Sequence, residues 1–162
     1  HTNLMGSDIS EKAIADSKQN IDWTRQRYGV VTDKVQIFQS DIKDIGRRIA
    51  KKSVDTIATE PYLGEPLKGN EGKEVLLKQT NELKTLYIEA FRQFSSILKP
   101  NGAVVFIIPR FKFKNDWITI DCKKDIEALG YKSVPFLEQY PYLLYARPAQ
   151  RVAREIWKFV KH

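Results

Sequence analysis

The chain has 162 residues, of which 42% are hydrophobic and 11% aromatic, enough for one globular domain with a buried core. Lys and Arg number 27 against 20 Asp and Glu, and the net charge of +7 favours a polyanionic partner such as a nucleic acid or else a solubilising surface. The single cysteine, Cys122, excludes an intramolecular disulfide and suits a reducing cytoplasm, and no apolar run reaches the ~20 residues of a membrane span.

The first predicted elements alternate between strand and helix. LMGSDIS, residues 4–10, predicts a short buried strand and then a helix start with Ser10 as the N-cap. The helix is expected over residues 11–28, and Gly29 suits its C-terminal cap. VQIFQSDI, residues 35–42, alternates apolar and polar residues as a strand does, and a short basic helical segment is expected after it.

The middle of the chain predicts a strand, a long helix and a second strand. VDTIATEPYL, residues 54–63, has the composition of the first of these strands. Apolar residues recur at three- and four-residue spacing from Val75 to Leu98, which predicts a helix with one buried stripe, ended by KPNG at 99–102. GAVVFIIP, residues 102–109, is a continuous apolar run typical of a strand covered on both faces.

The C-terminal part predicts one more helix, at residues 122–129, and then antiparallel strands around an RPAQ turn. Arg147, Arg151 and Arg154 either frame that turn together with Pro148 or contact phosphate. The complete order of elements predicts an α/β fold, with a Rossmann-like, doubly wound and mostly parallel sheet and a C-terminal antiparallel hairpin.

Three acids fall at the ends of three successive predicted strands: Asp8, Asp41 and Glu60. Doubly wound sheets bind ligands at the carboxyl ends of their strands, so three acids at one edge indicate a binding site. The alternative is structural, because acids are common in loops and at helix starts. Asp41 in particular suits a cap for the helical segment after it.

The chain carries five segments in a fixed order over nearly its whole length: GSDIS, QSDI, DTIATEPYLG, KPNGAVVFIIP and YARPAQRVAREI. Together they resemble the class I S-adenosylmethionine-dependent methyltransferases. Within these, the chain is similar to the branch that methylates the exocyclic amino group of guanosine in tRNA, whose catalytic domain often accompanies a THUMP RNA-binding domain. The resemblance implies that residues 1–162 form a single methyltransferase domain acting on RNA, with tRNA the first candidate.

The resemblance also implies that S-adenosylmethionine is the cofactor. Asp8 is similar to the acid that accepts hydrogen bonds from both ribose hydroxyls, and a carboxylate with two oxygens suits a diol. Ile9 beside it belongs to the same site. Asp41 is similar to the acid that receives the adenine amino group, and Ile42 would offer a backbone amide and an apolar contact.

TEPYLG resembles the Asp/Asn-Pro-Pro-aromatic motif of amino-group methyltransferases. Without a gap, Glu60 takes the acid position and Pro61 the first proline, while Tyr62 takes the second proline and Leu63 the aromatic position. The resemblance implies that Glu60 and a nearby carbonyl accept hydrogen bonds from the target amine, while Tyr62 stacks on the base. Two oriented acceptors are needed because the amine lone pair is conjugated with its ring and must be turned towards the methyl group. The alternative is a solvated Glu60 at a turn.

In the resembling family, a first strand and a glycine-rich turn precede the position of Asp8, and neither stands before it here. We therefore expect an N-terminally truncated domain, or a core completed by a segment exchanged between two copies, which predicts a homodimer. An upstream RNA-binding domain is the further partner that the resemblance implies.

Arg110, Lys112, Lys114 and Trp117 follow the strand at 102–109 and alternate with phenylalanines. Cations attract phosphate and aromatic rings stack on unpaired bases, so these four are the candidate nucleic-acid-binding residues. The same alternation is also typical of an edge strand. No zinc ligand set is expected, because the two histidines lie at the chain ends and one cysteine is present.

The sequence thus predicts methyl transfer to guanosine N2 in tRNA or other structured RNA. Methylation of adenine N6 in DNA or RNA is the alternative within the same class. A non-catalytic RNA-binding or scaffold domain is the alternative outside it. The lack of a glycine-rich turn favours that last reading, whereas the joint presence of Asp8, Asp41 and Glu60 opposes it.

Overall fold

The structure, a computed structural model, describes residues 3–29 and 34–162. The elements in this part of the chain are β1 (Leu4–Asp8), α1 (Glu11–Tyr28), β2 (Val35–Gln39), a 3-10 helix (Ile42–Asp44), α2 (Ile45–Arg48), β3 (Val54–Thr59), α3 (Lys73–Ile97), β4 (Leu98–Phe113), β5 (Asp116–Ile118), α4 (Lys123–Ala128), β6 (Tyr131–Ser133), β7 (Leu143–Tyr145) and β8 (Val152–Lys161). The chain divides into two compact units, residues 1–48 and 49–162. None of the helices just given is long and apolar enough to cross a membrane.

Unit 1, residues 1–48, contains a strand–helix–strand motif. β1 and β2 pair in parallel, with each residue of β1 matched to one of β2. α1 makes the crossover between the two strands, as parallel neighbours require. In the described part of this unit, the buried apolar side chains are Ile14 and Ile45, so its core is small.

Both ends of α1 lie where the sequence predicts them. The Oγ of Ser10 accepts a hydrogen bond from the backbone N–H of Ala13 at 3.2 Å and so caps the helix start. Gly29 ends the helix with φ at 61°, a left-handed conformation that glycine adopts without a steric penalty. The predicted bounds of this helix are therefore confirmed.

Unit 2, residues 49–162, is built on a sheet of order β3-β4-β8-β6, with β5 added to β4 and β7 added to β8. β3 and β4 are parallel, whereas β8 pairs antiparallel with β4, β6 and β7. The parallel pairs thus lie among β1 to β4, and the C-terminal part of the chain supplies antiparallel strands. The predicted α/β fold with a Rossmann-like sheet and a C-terminal antiparallel hairpin is confirmed.

The core of unit 2 lies between α3 and one face of this sheet. Phe91 of α3 is fully buried, and its ring centroid lies 5.0 Å from those of Phe106 and Tyr131 and 5.1 Å from that of Phe159. Such tilted and edge-on contacts favour aromatic packing beyond the area they bury. The predicted apolar stripe of this helix is confirmed with three exceptions: Val75 in the first turn is 57% exposed, Leu86 is half-buried, and Leu98 belongs to β4.

Strand bounds differ from prediction at four places. β4 continues beyond the predicted Pro109 to Phe113. β4 begins at Leu98, so KPNG is absorbed into the strand as an irregularity, with Asn101 at φ 62° and a register shift against β3. β2 ends at Gln39 and β3 at Thr59, before the acids that follow them. Acidic residues and proline are disfavoured inside strands, which explains why β2 and β3 end before Asp41, Glu60 and Pro61.

Candidate functional site

Asp8 is the last residue of β1, and Asp41 lies two residues beyond the end of the neighbouring parallel strand β2, whose last residue, Gln39, is matched to Asp8. The Oδ1 of Asp8 accepts a hydrogen bond from the backbone N–H of Ser10 at 2.7 Å. Its Oδ2 has no hydrogen-bond partner among the described residues. Ile9 is 66% exposed beside it, so an apolar side chain and an open carboxylate oxygen lie at the same strand end.

Asp41 is the N-cap of the 3-10 helix, as the structural alternative predicted. Its Oδ1 accepts a hydrogen bond from the backbone N–H of Lys43 at 2.9 Å. The other carboxylate oxygen is open within the described part of the chain, and Ile42 is half-buried. Capping and ligand binding therefore use different oxygens of Asp41 and are compatible.

Glu60 lies just beyond β3 and forms an ion pair with β8. Its Oε1 accepts a hydrogen bond from the Nε of Arg154 at 2.5 Å, and the two side chains are 46% and 29% exposed. Glu60 is thus not simply solvated at a turn. The two residues are 94 positions apart in sequence, so no local pattern could have shown this partner.

Glu60 and Arg154 line a cavity of about 360 Å³, a volume within the range of small-ligand sites. Ile107 and Ile156 form its apolar side, opposite each other in the β4–β8 register. Successive strand residues point to opposite faces, so Ile107 lies on the face away from Phe106 and α3. The remaining lining residues come from the C-terminal hairpin: Tyr145, Arg147 and Gln150.

On the face of β4 that carries Ile107, Val105 and Ile107 are half-buried and Pro109 is buried, whereas Phe106 on the other face has no exposed surface. The prediction that this strand is covered on both faces is therefore confirmed for the face towards α3, and the opposite face is covered only in part. A larger depression of about 510 Å³ follows the outer surface of α3 from Glu74 to Thr85. One helix alone forms it, so it lacks the converging side chains of the cavity beside Glu60.

The loop after Glu60 is held by a buried tyrosine. The hydroxyl of Tyr87, on α3, donates a hydrogen bond to the backbone carbonyl of Tyr62 at 2.7 Å. Burial raises the pKa of Tyr87, which keeps its phenol protonated and able to donate. The spacing of apolar residues predicts Tyr87 in the buried stripe of α3 but does not reveal this second role.

Further bonds fix the shape of the same loop. The hydroxyl of Tyr62 donates to the carboxylate of Glu65 at 2.5 Å, and this bond raises the pKa of Tyr62. The backbone N–H of Glu65 in turn donates to the Oε1 of Gln79 at 3.2 Å. Gly64 has φ at 95° and lies so close to Gln79 that a Cβ would fall 2.4 Å from its Nε2. Tyr62 itself is 55% exposed, so its ring is open to a ligand.

The four candidate nucleic-acid-binding residues lie on β4, β5 and the turn between them. The guanidinium of Arg110 lies 4.7 Å from the centre of the Trp117 ring, and the Nζ of Lys112 lies 5.2 Å from it. Lys114 is exposed in the turn with φ at 53°. The structure thus brings Arg110, Lys112 and Trp117 together, and both cations make cation–π contacts with the indole ring.

Arg110 differs from the two lysines because it is largely buried. Its side chain is 17% exposed, and its Nη1 lies 3.9 Å from the Oε1 of Glu155. Glu155 is itself buried and accepts a hydrogen bond from the Nε1 of Trp157 at 3.1 Å. Burial raises the pKa of Glu155 against the smaller opposing effects of these neighbours. Arg110 therefore faces a buried acid, which the sequence pattern did not reveal.

Comparison with known proteins bears on the fold. No family model and no curated protein matches the sequence. TrmN from Thermus thermophilus is similar in structure, with a TM-score of 0.60 at 14% identity over 98% of this chain and 36% of TrmN. A SAM-dependent methyltransferase from Methanosarcina mazei gives 0.57 at 8% identity over 97% of this chain and 81% of that one. The [4+2]-cyclase SpnF gives 0.59 at 11% identity over 98% of this chain and 66% of the cyclase.

These likenesses show that the chain has the Rossmann-like α/β fold of the three proteins. They do not carry an activity across, because identities are low and the same fold serves a methyltransferase and a cyclase. The chain also spans 36% of the length of TrmN and 66% of that of the cyclase.

Proposed function

We propose that this chain transfers a methyl group from S-adenosylmethionine to an exocyclic amino group of a nucleic-acid base. Guanosine N2 in tRNA or other structured RNA is the proposed target. One observation carries the proposal: Glu60, at the carboxyl end of a parallel strand, lines a cavity of about 360 Å³ with one carboxylate oxygen fixed by Arg154. The motif resemblance of the segment around Glu60 and the fold support the same activity.

In this mechanism the chain orients the target amine with two acceptors. Arg154 occupies the Oε1 of Glu60, which leaves the Oε2 as an oriented acceptor for one amine hydrogen. The carbonyl of Tyr62 already accepts from Tyr87, so the neighbouring Pro61 carbonyl is assigned to the second hydrogen. Both acceptors turn the lone pair out of conjugation, and the carboxylate stabilises the positive charge that grows on the nitrogen. The exposed ring of Tyr62 stacks on the base.

The residues at the β1–β2 end fit the proposed cofactor. Asp8 and Asp41 each keep one carboxylate oxygen open, and Ile9 is 66% exposed between two neighbouring strand ends. Asp8 would hold the ribose hydroxyls and Asp41 the adenine amino group, with Ile9 and Ile42 in apolar contact. When bound, the cofactor supplies the electrophilic methyl group.

The β4–β5 hairpin supports the nucleic-acid side of the proposal. Lys112 provides positive charge next to Trp117, and Lys114 provides it next to Phe113, on a chain whose net charge is +7. Trp117 offers a face for an unpaired base. Arg110, which faces Glu155, is assigned to holding the Trp117 ring rather than to phosphate.

Glu60→Gln tests the catalytic assignment. The change keeps the size of the side chain but removes the charge that stabilises the developing cation, so methyl transfer to RNA should fall about 100-fold. Transfer of radiolabelled methyl groups from S-adenosylmethionine to unmodified tRNA measures it. Binding of S-adenosylmethionine, followed by calorimetry, should stay unchanged in the same variant.

Asp55→Asn is the matched control, because Asp55 forms a comparable ion pair at the other end of β3, 2.6 Å from Lys99. It should leave methyl transfer at the wild-type rate. Equal activities of wild type and Glu60→Gln would refute the role of Glu60. Equal losses in both variants would assign the effect to stability of the strand.

A further inference from the structure

The hairpin between β7 and β8 presents a rigid turn at the edge of the cavity. The backbone N–H of Gln150 donates to the carbonyl of Arg147 at 3.1 Å, and the backbone N–H of Arg147 donates to the Oε1 of Gln150 at 3.3 Å. These two bonds close residues 147–150 into one turn and hold the side chain of Gln150 against its backbone. The Nε2 of Gln150 remains a donor towards the cavity that this residue lines.

Arg147 is held on Tyr145 and keeps its outer nitrogens open. Its Nε donates to the Oη of Tyr145 at 2.5 Å, and its guanidinium lies 5.6 Å from the centre of that ring. Within the described residues, Nη1 and Nη2 make no hydrogen bond. The other cation of the cavity, Arg154, is committed to Glu60. Arg147, whose partner is a neutral phenol, is therefore the cation of this pocket that has no acidic partner among the described residues.

The cavity is lined by both hydrogen-bond donors and an acceptor. Arg147, Gln150 and the hydroxyl of Tyr145 supply the donors, and the open oxygen of Glu60 is the acceptor. Ile107 and Ile156 form the apolar side. With Arg147 and Arg154 against Glu60, the lining carries one excess positive charge. A ligand that fits has an anionic group, a flat apolar body and a hydrogen-bond donor.

We propose, on the basis of the function proposed above, that this hairpin binds a phosphate group of the nucleic-acid substrate through Arg147, with Gln150 as a second donor. The base lies against Ile107 and Ile156 and presents its amino group to Glu60. Phosphate is the chosen anion because the free edge of a guanidinium matches two phosphate oxygens, and because the chain charge of +7 favours a polyanion. The hairpin thereby selects a nucleotide within a strand over a free nucleoside.

The salt dependence of RNA binding tests this directly. Each phosphate contact on a single strand contributes about 0.7 to the slope of log K against log salt concentration. Arg147→Gln should therefore reduce the magnitude of this negative slope by about 0.7 for a short, fluorescently labelled, single-stranded RNA. Fluorescence anisotropy over a series of salt concentrations measures it, without cofactor and without methyl transfer.

Two further variants sharpen the result. Arg92→Gln removes an arginine that is 59% exposed on α3, and it should leave the slope unchanged. Arg147→Lys keeps the positive charge but removes the bidentate hydrogen bonding of the guanidinium. It should therefore keep the slope of log K against log salt concentration while weakening RNA binding at every salt concentration. The unfolding midpoint of each variant confirms that the compared proteins are folded.

The outcomes separate this inference from the proposed methyl transfer. An unchanged slope in Arg147→Gln overturns the phosphate assignment and leaves the role of Glu60 standing. RNA binding that does not respond to salt in the wild type overturns both. If polyglutamate binds with an Arg147-dependent slope and RNA does not, the partner is an acidic protein and the inference is wrong.

Discussion

Tyr87 lies in the core of unit 2 and contacts the loop that carries the proposed site. The side chain has no exposed area, yet its hydroxyl reaches the carbonyl of Tyr62, two residues after Glu60. A buried tyrosine whose hydroxyl is satisfied in this way stabilises a particular backbone path. Tyr62 directly follows Glu60 and Pro61, the two residues that supply acceptors in the proposed function, so we propose Tyr87 as a positioning residue for that reaction.

Tyr87→Phe removes this one bond and leaves the ring in place. The free energy of unfolding should fall by about 1 kcal/mol, the usual net contribution of a neutral hydrogen bond, as measured by urea denaturation. Because burial raises the pKa of Tyr87, the hydroxyl donates throughout the neutral range and the loss should not vary with pH there. Methyl transfer should lose turnover rate while KM for RNA changes little.

Tyr131→Phe separates positioning from general stability. Tyr131 is also buried; its hydroxyl donates to the carbonyl of Phe91 at 3.2 Å and accepts from the Oγ of Ser95 at 3.1 Å, and neither partner belongs to the loop after β3. This control should cost similar stability and leave the turnover rate intact. If both variants lose turnover equally, Tyr87 has no special role in the site.

The acids of the candidate site could be placed from sequence, but their partners could not. Asp8, Asp41 and Glu60 each follow a run with strand composition, which is a local signal. The Arg154 partner of Glu60 depends on the register between β4 and β8, where Arg154 is matched to Pro109. The Glu155 partner of Arg110 depends on the same register. Such pairs come from tertiary packing, which single-sequence patterns do not encode.

At the scale of elements, local capping signals gave better bounds than strand composition did. Ser10 and Gly29 bound α1 because both act on the backbone within a few residues of themselves. β4 instead continues through KPNG, since pairing with β3 on both sides of an irregularity outweighs the turn preference of Asn101. The extent of a strand is set by its neighbours, which the sequence alone does not identify.

The β7–β8 hairpin contains a residue in an unfavourable conformation. Ala149 has φ at 64°, where a Cβ costs about 1 kcal/mol, whereas glycine adopts such angles freely. Ala149→Gly should therefore raise the free energy of unfolding by up to about 1 kcal/mol. Urea denaturation measures the change.

Ala146→Gly is the control within the same hairpin, because Ala146 is not among the residues with positive φ. It should be neutral or should destabilise by about 0.5 kcal/mol through added freedom of the unfolded chain. If Ala149→Gly destabilised the protein by the same amount as Ala146→Gly, residue 149 would not have a positive φ in the turn at residues 147–150. That result would also weaken the placement of Arg147 proposed above.

At the scale of the whole molecule, the order of elements predicted the α/β fold, whereas the uneven distribution of the core had no sequence signal. α1 has the length and caps of a stable helix, and β1 the composition of a buried strand. Yet Leu4 and Met5 are 50% and 42% exposed, and Trp23 of α1 is 58% exposed. Apolar composition predicts that a segment can be buried, and the packing of the complete fold decides whether it is.

This distribution predicts different local stabilities for the two units. Burial of apolar surface is the main favourable term in folding, and the described part of residues 1–48 buries Ile14 and Ile45 alone among its apolar side chains. Residues 49–162 bury Phe91, Phe106 and Phe159 around one another. Amides of β1 and α1 should therefore exchange with deuterium well before those of β4 and β8, as followed by mass spectrometry on the 162-residue chain.

Two alanine variants test whether these stabilities are separate. Ile14→Ala should speed exchange in β1 and α1 and leave β4 and β8 unchanged, since Ile14 belongs to residues 1–48. Ile126→Ala, in the fully buried core position of α4, should lower protection across residues 49–162. Equal protection of all four elements in the wild type, with both variants lowering it everywhere, would show one cooperative unit. The proposed cofactor residues Asp8 and Asp41 would then share the stability of the Glu60 cavity instead of opening independently of it.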